Sequence, residues 1–491
     1  MEKTLEQIRA ERLRKLEELR KLGLDPFAIT KYDKKESFKV IKERFDPKLK
    51  AGEKLENEKI STAGRILAIR EHGKASFADL FDGEKIQVWL DEATLKEKYQ
   101  IFKKYVDIGD IIGIKGFPFK TLRGDLTIWV EDFQILVKSL RPLPSKWYGL
   151  KDEDLRYRMR YVDLIVNAKA REILLIRSEI VKAMREFLES RGFVEIETPI
   201  LQPIYGGAFA RPFITYHNAL DMNLYLRISD ELYLKRLIVG GIEKVYEIGR
   251  DFRNEGIDTK HNPEFTMMEC YWAYADYNDI MKLTEEMIAY IAEKAIGKLE
   301  IEYAGHKINL KPPWKRIRMV DAIKNEGIDV ESLSREELIE MAREKNLEAK
   351  ENFSKGDLIN LFFEEMVQPK LIQPTFVYDY PIEVSPLAKK KKDNPNFVER
   401  FEGFIAGMEI ANAFSELNDP IDQKERLLGQ TKRRSEGLEY HEMDEDFIRA
   451  LEYGMPPTGG LGIGIDRLAM ILTNVQSIRE VIAFPTLRPE K

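Results

Sequence analysis

Residues 252–272 read FRNEGIDTKHNPEFTMMECYW and follow a β-like run at residues 244–249. The loop between the two runs contains residues that reverse a chain, among them Gly256, Asp258 and Pro263, so the stretch predicts an antiparallel hairpin. Side chains alternate along a strand, so one face of the second run carries two aromatic rings, a thioether and a carboxylate. These side chains are Phe265, Met267, Glu269 and Tyr271.

Arg253, at the start of the loop, favours a nucleotide site on this face. A guanidinium group can hold phosphate oxygens in pairs, and Phe265 offers a ring on which a base can stack. An amphipathic strand with a solvated charged face is the alternative interpretation of the same pattern.

The composition excludes several classes of protein. The chain has 491 residues, of which 43% are hydrophobic, which is enough for two or three domains. It has no apolar run of membrane-spanning length and begins MEKTLEQ without an apolar segment, so we expect a cytoplasmic protein with no membrane partner. One cysteine and five scattered histidines give no disulfide framework and no ligand spacing, so zinc is not expected. A net charge of −6 leaves a nucleic-acid ligand open, because phosphate contacts depend on local charge.

The first 143 residues predict two parts. In residues 5–22 apolar residues recur mostly three or four apart and stop before Gly23, which predicts a helix in an N-terminal helical extension over 1–55. The extension is rich in arginine and lysine, so contact with a nucleic-acid backbone is an alternative to a purely structural helix. Short β runs separated by glycines over 56–143 predict a five-stranded barrel with the size of an OB-fold.

The next segments predict a connection and a long helix. Residues 144–170 contain prolines and basic residues and are interpreted as a hinge. Residues 171–191 predict an amphipathic helix that ends at Gly192, followed by a strand over 193–199 that Pro199 ends. Residues 305–375 are highly charged and predict a helical insertion, and Lys389–Lys392 form either a solvated loop or a nucleotide-attracting one.

Residues 400–419 read RFEGFIAGMEIANAFSELND and predict a second hairpin. A two-residue turn at Ala406 and Gly407 pairs Phe404 with Glu409 and places Glu402 on the same face as Glu409. Carboxylates crowded in this way need a cation if they are buried, and Mg²⁺ is the expected ion beside a nucleotide.

Strict alternation in this hairpin would place Asn412, Phe414 and Glu416 on the face opposite the two carboxylates. A single site for all five side chains therefore requires a bulge between Glu409 and Asn412.

Residues 459–470 read GGLGIGIDRLAM and predict a strand with one bare glycine face, followed by a helix. We expect Asp466 to cap that helix and Arg467 to lie in its first turn. A cation is unfavourable there unless an anion is bound, so the junction predicts an anion site.

The runs at 253–256 and 261–269 resemble motif 2 of the class II aminoacyl-tRNA synthetases, in the bacterial-type lysyl branch. The helix, strand and proline at about 180–200 resemble motif 1, and residues at about 459–475 resemble motif 3; motif 2 then spans about 244–272. The resemblance implies an α+β multidomain protein with an N-terminal OB-fold anticodon-binding barrel. It also implies a catalytic domain over 171–491, with a mixed, mainly antiparallel sheet flanked by helices, and the 305–375 insertion between motifs 2 and 3.

The resemblance also implies site residues. The ATP-binding residues would be Arg253, Glu255, His261, Asn262, Phe265, Glu402, Glu409, Gly462 and Arg467. The lysine-binding residues would be Gly207, Glu231, Arg253, Glu269, Tyr271, Asn412, Phe414 and Glu416. Arg253 and Arg467 would be catalytic, and Glu402 and Glu409 would hold Mg²⁺. The anticodon-binding residues would be Arg70, Phe77, Gln87 and Asp125.

Three of these expectations have structural alternatives. Glu231 is also a favourable acid in the first turn of a helix. Phe77 is equally compatible with core packing, and the helix of motif 1, which builds the dimer interface in the family, is equally compatible with a core helix.

The resemblance implies a homodimeric ligase that uses ATP to activate L-lysine as lysyl-adenylate and transfers it to the 3′-terminal ribose of tRNA-Lys. A related ligase that adds lysine to a protein is one alternative, and the OB-like segment counts against it. A catalytically inactive tRNA-binding regulator is the other. The presence of Arg253, Glu402, Glu409, Glu416 and Arg467 counts against that alternative.

Overall fold

The structure is a computed structural model that describes residues 4–144, 152–435 and 443–490, with the side chains of 431–435 left aside. The chain forms two compact units, Met1–Lys151 and Asp152–Lys491. None of the helices in the described ranges combines the length and the apolar character that a membrane span requires.

The first unit contains a barrel and four helices. In chain order its elements are α1 (Leu5–Lys21), α2 (Phe38–Phe45), β1 (Ile60–His72), β2 (Ala75–Phe81), β3 (Lys85–Asp91), α3 (Glu92–Leu95), α4 (Glu97–Tyr105), β4 (Ile111–Lys120) and β5 (Leu126–Val137). The strands form a closed barrel in the order β1-β2-β3-β5-β4, with β3 and β5 parallel and the other pairs antiparallel. This barrel confirms the predicted OB-fold.

The predicted N-terminal extension is part of the barrel unit and not a separate segment. Leu19 of α1 and Phe38 and Ile41 of α2 are fully buried in the same core as the barrel strands. Arg12, part of the predicted basic surface, is buried and donates hydrogen bonds to the carbonyl oxygens of Ser139 at 2.8 Å and Ile108 at 2.9 Å. At Arg12 the structure therefore favours the structural alternative for α1.

The second unit contains a large sheet, two small ones and the remaining helices. In chain order its elements are α5 (Glu153–Arg158), α6 (Arg160–Val166), α7 (Ala168–Glu189), β6 (Val194–Glu195), β7 (Leu201–Gln202), β8 (Ile214–His217), β9 (Met222–Leu226), α8 (Glu231–Val239), β10 (Lys244–Phe252), β11 (Glu264–Ala273), α9 (Tyr277–Ile296), β12 (Glu300–Tyr303), β13 (His306–Asn309), β14 (Lys315–Arg318), α10 (Met319–Lys324), α11 (Arg335–Glu344), α12 (Lys355–Phe362), β15 (Thr375–Pro381), β16 (Phe397–Ile405), β17 (Met408–Ser415), α13 (Pro420–Ser435), α14 (Glu445–Glu452), β18 (Thr458–Gly464), α15 (Ile465–Thr473) and α16 (Ile478–Val481).

The large sheet has the strand order β14-β15-β16-β17-β18-β11-β10-β6 within the described residues. Only its two edge pairs, β14–β15 and β10–β6, are parallel, so the predicted mixed, mainly antiparallel sheet is confirmed. One face packs on α7, α9 and α15 through apolar side chains such as Cys270, Ala413 and Leu461, which lie in one core cluster with residues of these helices. The other face is left for the site.

The first hairpin has the register that the alternation rule predicts. Strand β10 pairs with β11 from Lys244 opposite Trp272 to Phe252 opposite Glu264. Strand β18 lies on the other side of β11, with Gly460 opposite Tyr271 and Gly462 opposite Glu269. The glycine face of β18 therefore lies beside the polar face of β11.

The second hairpin contains the bulge that a single site requires. Phe404 pairs with Glu409, but the next residue on β16, Gly403, pairs with Ala411. Ile410 is the extra residue on β17 and shifts the alternation by one position. Both turn residues have positive φ, 51° at Ala406 and 71° at Gly407, which suits a two-residue hairpin turn.

The predicted hinge over 144–170 is only partly compatible with the structure. Residues 145–151 lie outside the described residues, and residues 153–166 form α5 and α6 within the second unit. Arg160 is fully buried and donates hydrogen bonds to Asp163 at 2.9 Å and to the carbonyl oxygen of Ala483 at 3.1 Å. Because these bonds fix Arg160 inside the second unit, the catalytic unit begins at about residue 152.

Two other predicted elements differ from the structure. The strand at 193–199 is reduced to Val194–Glu195, because Thr198 leaves the ladder and donates its backbone N–H to the Glu247 carboxylate at 3.0 Å. The 305–375 segment contains β13 and β14 besides α10–α12, and β14 pairs with β15 at the edge of the large sheet. Lys315 and Arg316 are charged and do not predict a strand. The strand β14 therefore forms because β15 provides a backbone partner for it.

Asp466 does not cap α15, in contrast to the sequence prediction. The helix begins at Ile465 with Gly464 as its N-cap, and Asp466 lies in the first turn. Its carboxylate accepts the backbone N–H of Thr266 at 2.8 Å and a hydrogen bond from Arg177 at 2.8 Å. Asp466 thus joins α15 to β11 and α7.

Candidate active site

The site is one cavity of about 380 Å³ on the open face of the large sheet. Every residue predicted for ATP, lysine or Mg²⁺ lines it. These residues are Gly207, Glu231, Arg253, Glu255, His261, Asn262, Phe265, Glu269, Tyr271, Glu402, Glu409, Asn412, Phe414, Glu416, Gly462 and Arg467.

One end of the cavity is built from buried acids. Glu231, 6% exposed, begins α8, and Glu416, 1% exposed, follows β17. The Nζ of Lys235, which is fully buried, bridges the two carboxylates. Burial alone would lower the pKa of Lys235, but the two carboxylates raise that pKa above its ordinary value. This end of the cavity therefore accommodates an ammonium group between two carboxylates.

Lys235 was missed by the sequence analysis. A signal was present, because Glu231 and Lys235 are four residues apart on the predicted helix, the spacing of a helical ion pair. On an isolated helix such a pair is solvated, and only tertiary burial makes it part of a site.

The polar face of β11 contributes a third acid. Glu269 accepts hydrogen bonds from the Ser229 hydroxyl at 3.0 Å and the Tyr271 hydroxyl at 2.8 Å. Burial, together with the surrounding carboxylates, raises the pKa of Tyr271 well above its ordinary value, so the phenol remains a hydrogen-bond donor. Ser229 was also missed, and a single serine before a helix gives no signal for this role.

Two glycines leave the space that the acids occupy. A Cβ on Gly460 would lie 1.9 Å from Glu416 Oε1 and 2.7 Å from the Tyr271 ring. Gly207 has a φ of +88°, and a Cβ there would lie 2.8 Å from the Ser229 hydroxyl. Side chains at these positions would fill the acidic end of the cavity.

The other end of the cavity carries arginines. The Arg253 guanidinium lies 5.0 Å from the centroid of the Phe265 ring, and its Nε has no hydrogen-bond partner among the described residues. Arg467 donates hydrogen bonds to the carbonyl oxygen of Glu409 at 3.0 Å and to its carboxylate at 3.2 Å. Its other terminal nitrogen lies 3.2 Å from His261 Nε2. This end therefore suits an anion.

Glu255 and Asn262 both lie in the wall of the cavity, but they differ in exposure and in hydrogen bonding. Glu255 is exposed. Asn262 is 7% exposed, and its side chain is already bonded to the carbonyl oxygen of Glu264 at 2.6 Å and to the backbone N–H of Thr486 at 3.2 Å. Its side chain therefore holds the loop to the C-terminal segment.

The predicted metal ligands lie beside an arginine that the sequence analysis missed. Arg400 donates hydrogen bonds to Glu402 at 2.6 Å and to the Asn412 side-chain oxygen at 3.1 Å. Burial, and then the negative charge of Glu409, raise the pKa of Glu402 to about 7. Two carboxylates that repel each other in this way fit a divalent cation. In the structure Glu402 is paired with Arg400, and Glu409 is paired with Arg467.

The lysines at 389–392 are partly paired. Lys391 lies 2.9 Å from the Asp379 carboxylate, and Lys390 lies 3.2 Å from the Asp422 carboxylate. These pairs favour the loop interpretation at both positions.

In the first unit, the predicted anticodon residues Arg70 and Phe77 are neighbours on adjacent strands. Phe77 is half-buried on the outside of the barrel, between fully buried Ser76 and Ala78, and it packs edge-on against Trp89 at 4.5 Å between ring centroids. The alternative interpretation of Phe77 as a core residue of the barrel is therefore wrong. Trp89 lies opposite Phe77 and was not predicted.

The remaining predicted anticodon residues are held by barrel neighbours. Arg70 donates two hydrogen bonds to Asp79, at 2.9 and 2.7 Å. Gln87 accepts a hydrogen bond from the Thr127 hydroxyl at 3.0 Å, and Asp125 is exposed at the start of β5. The barrel thus presents an aromatic ring, an arginine, an amide and a carboxylate.

Family models agree with this division of the chain. Residues 152–488 match the family of tRNA synthetases class II (D, K and N), and residues 60–141 match the OB-fold nucleic acid binding domain. The first match covers more than half of the chain. The chain belongs to the class II tRNA synthetase family.

Curated relatives place it in the lysine branch of this family. It is 57% identical to the lysine–tRNA ligase of Thermoanaerobacter pseudethanolicus over 98% of this chain and 95% of that protein. It is also 57% identical to the lysine–tRNA ligase of Carboxydothermus hydrogenoformans, over 97% of each chain. The class II synthetase fold indicated by motifs 1, 2 and 3 and the lysine branch indicated by motif 2 are both confirmed.

Proposed function

We propose that this protein activates L-lysine with ATP and transfers the lysyl group to the 3′-terminal ribose of tRNA-Lys. The observation that carries the assignment is the buried bridge Glu231–Lys235–Glu416 at one end of a cavity whose other end carries Arg253 and Arg467. The first end suits ammonium groups and the second suits phosphates. A lysine molecule with ATP presents these groups in that order.

In the first step a lysine carboxylate oxygen attacks the α-phosphorus of ATP, and the bond to the leaving diphosphate breaks. In the second step the ribose hydroxyl attacks the carbonyl carbon of lysyl-adenylate, and AMP leaves. In neither step does the lysyl group form a covalent bond to the protein. The residues act by holding the reactants in line and by compensating negative charge.

We assign the phosphates to Arg253 and Arg467 and the adenine to Phe265, with Glu255, His261, Asn262 and Gly462 around the nucleotide. The Arg253 guanidinium, which is beside the Phe265 ring and has an unused N–H, supports this assignment. Such a group can hold phosphate oxygens in pairs.

We assign the amino acid to the acidic end. Glu231 and the backbone of Gly207 would hold the α-ammonium group, and Glu416 with Tyr271 would hold the ε-ammonium group, with Glu269, Asn412 and Phe414 around them. A buried ammonium needs a buried counter-charge, and Glu416 is 1% exposed. The preference for lysine over an acidic amino acid follows from the negative charge of this end.

We assign one Mg²⁺ to Glu402 and Glu409; burial, and then the charge of Glu409, raise the pKa of Glu402 to about 7. When bound, the ion would neutralise part of the triphosphate charge.

The test is lysine-dependent exchange of diphosphate into ATP, measured with each of the twenty amino acids. We expect exchange with lysine and loss of exchange by at least about 100-fold in Arg253→Ala, because removal of one charged transition-state contact has about this effect. Arg343→Ala, an exposed arginine on α11, is the matched control and should remain active. Exchange with aspartate or asparagine instead of lysine would contradict the substrate assignment.

We assign the anticodon to the outer face of the barrel with Arg70, Phe77, Gln87 and Asp125. Phe77→Ala should reduce charging of tRNA-Lys by about 10- to 100-fold, the value of one base stacking contact, and leave diphosphate exchange intact. Phe27→Ala, at a phenylalanine that is 51% exposed in the same unit, is the control. Equal charging by both variants would overturn this assignment, and the alternative ligase that acts on a protein would gain support.

We infer a homodimer that acts in the cytoplasm, where tRNA is charged. Support for the dimer comes from apolar side chains that the single chain leaves exposed around β6–β9. These are Val194, Ile200, Leu201, Ile204, Ile214, Tyr216 and Leu220.

A further inference from the structure

Three buried carboxylates meet beside the acidic end of the cavity. Asp230 precedes α8, Asp251 lies near the end of β10, and Glu269 lies on β11. One oxygen from each of the three lies within 4.8 Å of the other two. Glu269 lines the cavity, so the cluster and the candidate active site share this residue.

The three carboxylates are unequally satisfied. Glu269 accepts the two hydrogen bonds from Ser229 and Tyr271. Asp251 forms an ion pair with the Nε of Arg227 at 3.2 Å, but its carboxylate oxygens accept no hydrogen bond within the described part of the chain. Asp230 is 1% exposed, and neither of its carboxylate oxygens has a hydrogen-bond partner among the described residues.

The position of Asp230 makes this absence notable. It occupies the N-cap position of α8, where an aspartate usually accepts a hydrogen bond from the first turn, but its side chain makes no such bond. The carboxylate is directed towards the other two acids instead of the helix. A buried carboxylate without a partner is costly, so the structure implies a ligand there.

The charges around the cluster do not balance. Arg227 is shared, because it also donates a hydrogen bond to Glu247 at 2.6 Å, and Arg253 is the other guanidinium whose charge acts on Asp251. Among the described residues, the three acids and Glu247 thus share two guanidinium groups. With all four acids ionised, their charge exceeds that of the two guanidinium groups by two, which is the charge of one divalent ion.

We propose that Asp230, Asp251 and Glu269 bind one hard divalent cation of the Ca²⁺ or Mg²⁺ class. Carboxylate oxygens are the ligands that these ions prefer. Oxygens that share one Ca²⁺ at 2.3–2.6 Å lie no more than about 5 Å apart, so a single ion can reach all three residues. This site is distinct from Glu402 and Glu409.

The ionisation of the acids agrees with this geometry. Burial, and then the charge of Glu269, raise the pKa of Asp251 to about 7. The same causes, with the charge of Asp251 added, raise the pKa of Asp230 well above its ordinary value. Both pKa shifts come from burial and from carboxylates that lie close together, which is the crowding that the geometry shows.

The ion would fix Glu269 relative to α8 and β10 before the amino acid binds. This role rests on the proposed function, because it concerns the lysine end of the cavity. Cation binding itself does not depend on that function, and we test it without lysine or ATP.

The experiment measures binding of Ca²⁺ to the full-length, chelator-treated protein by equilibrium dialysis, and follows Tm as Ca²⁺ and then Mg²⁺ are added. The Glu402→Gln/Glu409→Gln double variant removes the other carboxylate pair. It should still bind one Ca²⁺ per chain and show a rise in Tm with the ion. Asp230→Asn, which keeps the shape of the side chain, should weaken this binding by at least about tenfold.

Asp251→Asn gives the same test if Asp230→Asn does not fold. The proposal is overturned if the double variant binds neither ion at 10 mM. This concentration is above the dissociation constants of the weakest protein calcium sites, which are about 1 mM. It is also overturned if Asp230→Asn, added to the double variant, leaves the Ca²⁺ affinity of the double variant unchanged.

Discussion

At the residue scale, the acidic end of the cavity depends on the absence of one side chain. Gly460 lies on the central strand β18 between β11 and β17, so its backbone cannot move away from a new methyl group. Gly460→Ala places a Cβ 1.9 Å from Glu416 Oε1. We expect the KM for lysine to rise about 10- to 100-fold, from an overpacking cost of about 1–3 kcal/mol, with little change in ATP binding.

Gly464→Ala is the matched control on the same strand. A Cβ there would lie 3.9 Å from the Arg467 side chain, which is an ordinary contact. If steady-state kinetics gave the two variants the same KM for lysine, steric exclusion at Gly460 would be refuted.

Lys235 is the second residue whose contacts predict a measurable effect. Lys235→Met leaves the buried carboxylates of Glu231 and Glu416 without their shared ammonium. Breaking a buried ion pair costs about 3–5 kcal/mol, so we expect a lower free energy of unfolding by urea. Saturating lysine should stabilise this variant more than the unmodified protein, because the ammonium groups of the substrate replace the lost charge.

The control is Lys282→Met, which removes an exposed lysine on α9. Equal stability of the two variants in urea would show that the bridge through Lys235 contributes little. A smaller stabilisation of Lys235→Met by lysine would show that the substrate does not replace it.

At the element scale, one residue joins the two helices and the strand that carry the sequence motifs. Asp466 of α15 accepts hydrogen bonds from Thr266 of β11 and Arg177 of α7. The pair Arg177–Asp466 is mostly buried, with side chains 20% and 3% exposed. Its loss should therefore loosen the packing of α7 on the sheet.

A double-mutant cycle measures this coupling. Arg177→Ala and Asp466→Ala should each lower the free energy of unfolding by about 3 kcal/mol, and the double variant should lose about 2 kcal/mol less than their sum. Additive losses, within about 0.5 kcal/mol, would show that the two residues act independently.

At the scale of the whole molecule, the exposed apolar surface around β6–β9 predicts association of two chains. Ile214 is 64% exposed, and Ile214→Asp would place a charge in the proposed interface. We expect sedimentation equilibrium at micromolar concentration to give the mass of a dimer for the unmodified protein and a lower mass for this variant.

Leu122→Asp is the control, because Leu122 is 89% exposed but lies in the barrel unit. A monomeric unmodified protein would refute the dimer. Dissociation by Leu122→Asp but not by Ile214→Asp would place the interface elsewhere.

Much of the fold was predictable because its local patterns and its tertiary contacts agree. Alternation along residues 265–271 identified the polar face of β11, and the turn at Ala406 and Gly407 set the start of the second hairpin. The bulge at Ile410 followed from requiring one site for groups on two faces. The prediction failed for Asp466 and for 153–166, where long-range hydrogen bonds outweigh local signals.

The sequence by itself determined the hairpins, the glycine face of β18 and the five-stranded barrel, because each is encoded by spacing within a few residues. The predicted residues of the cavity followed from the resemblance to the class II family. Only the tertiary structure decided how the charges in the site are shared. Lys235 joins Glu231 to Glu416, Arg400 pairs with Glu402, and Asp230 remains without a partner among the described residues. Burial removes the water that would solvate these groups, so their partners depend on which elements meet, and spacing along the chain does not record that.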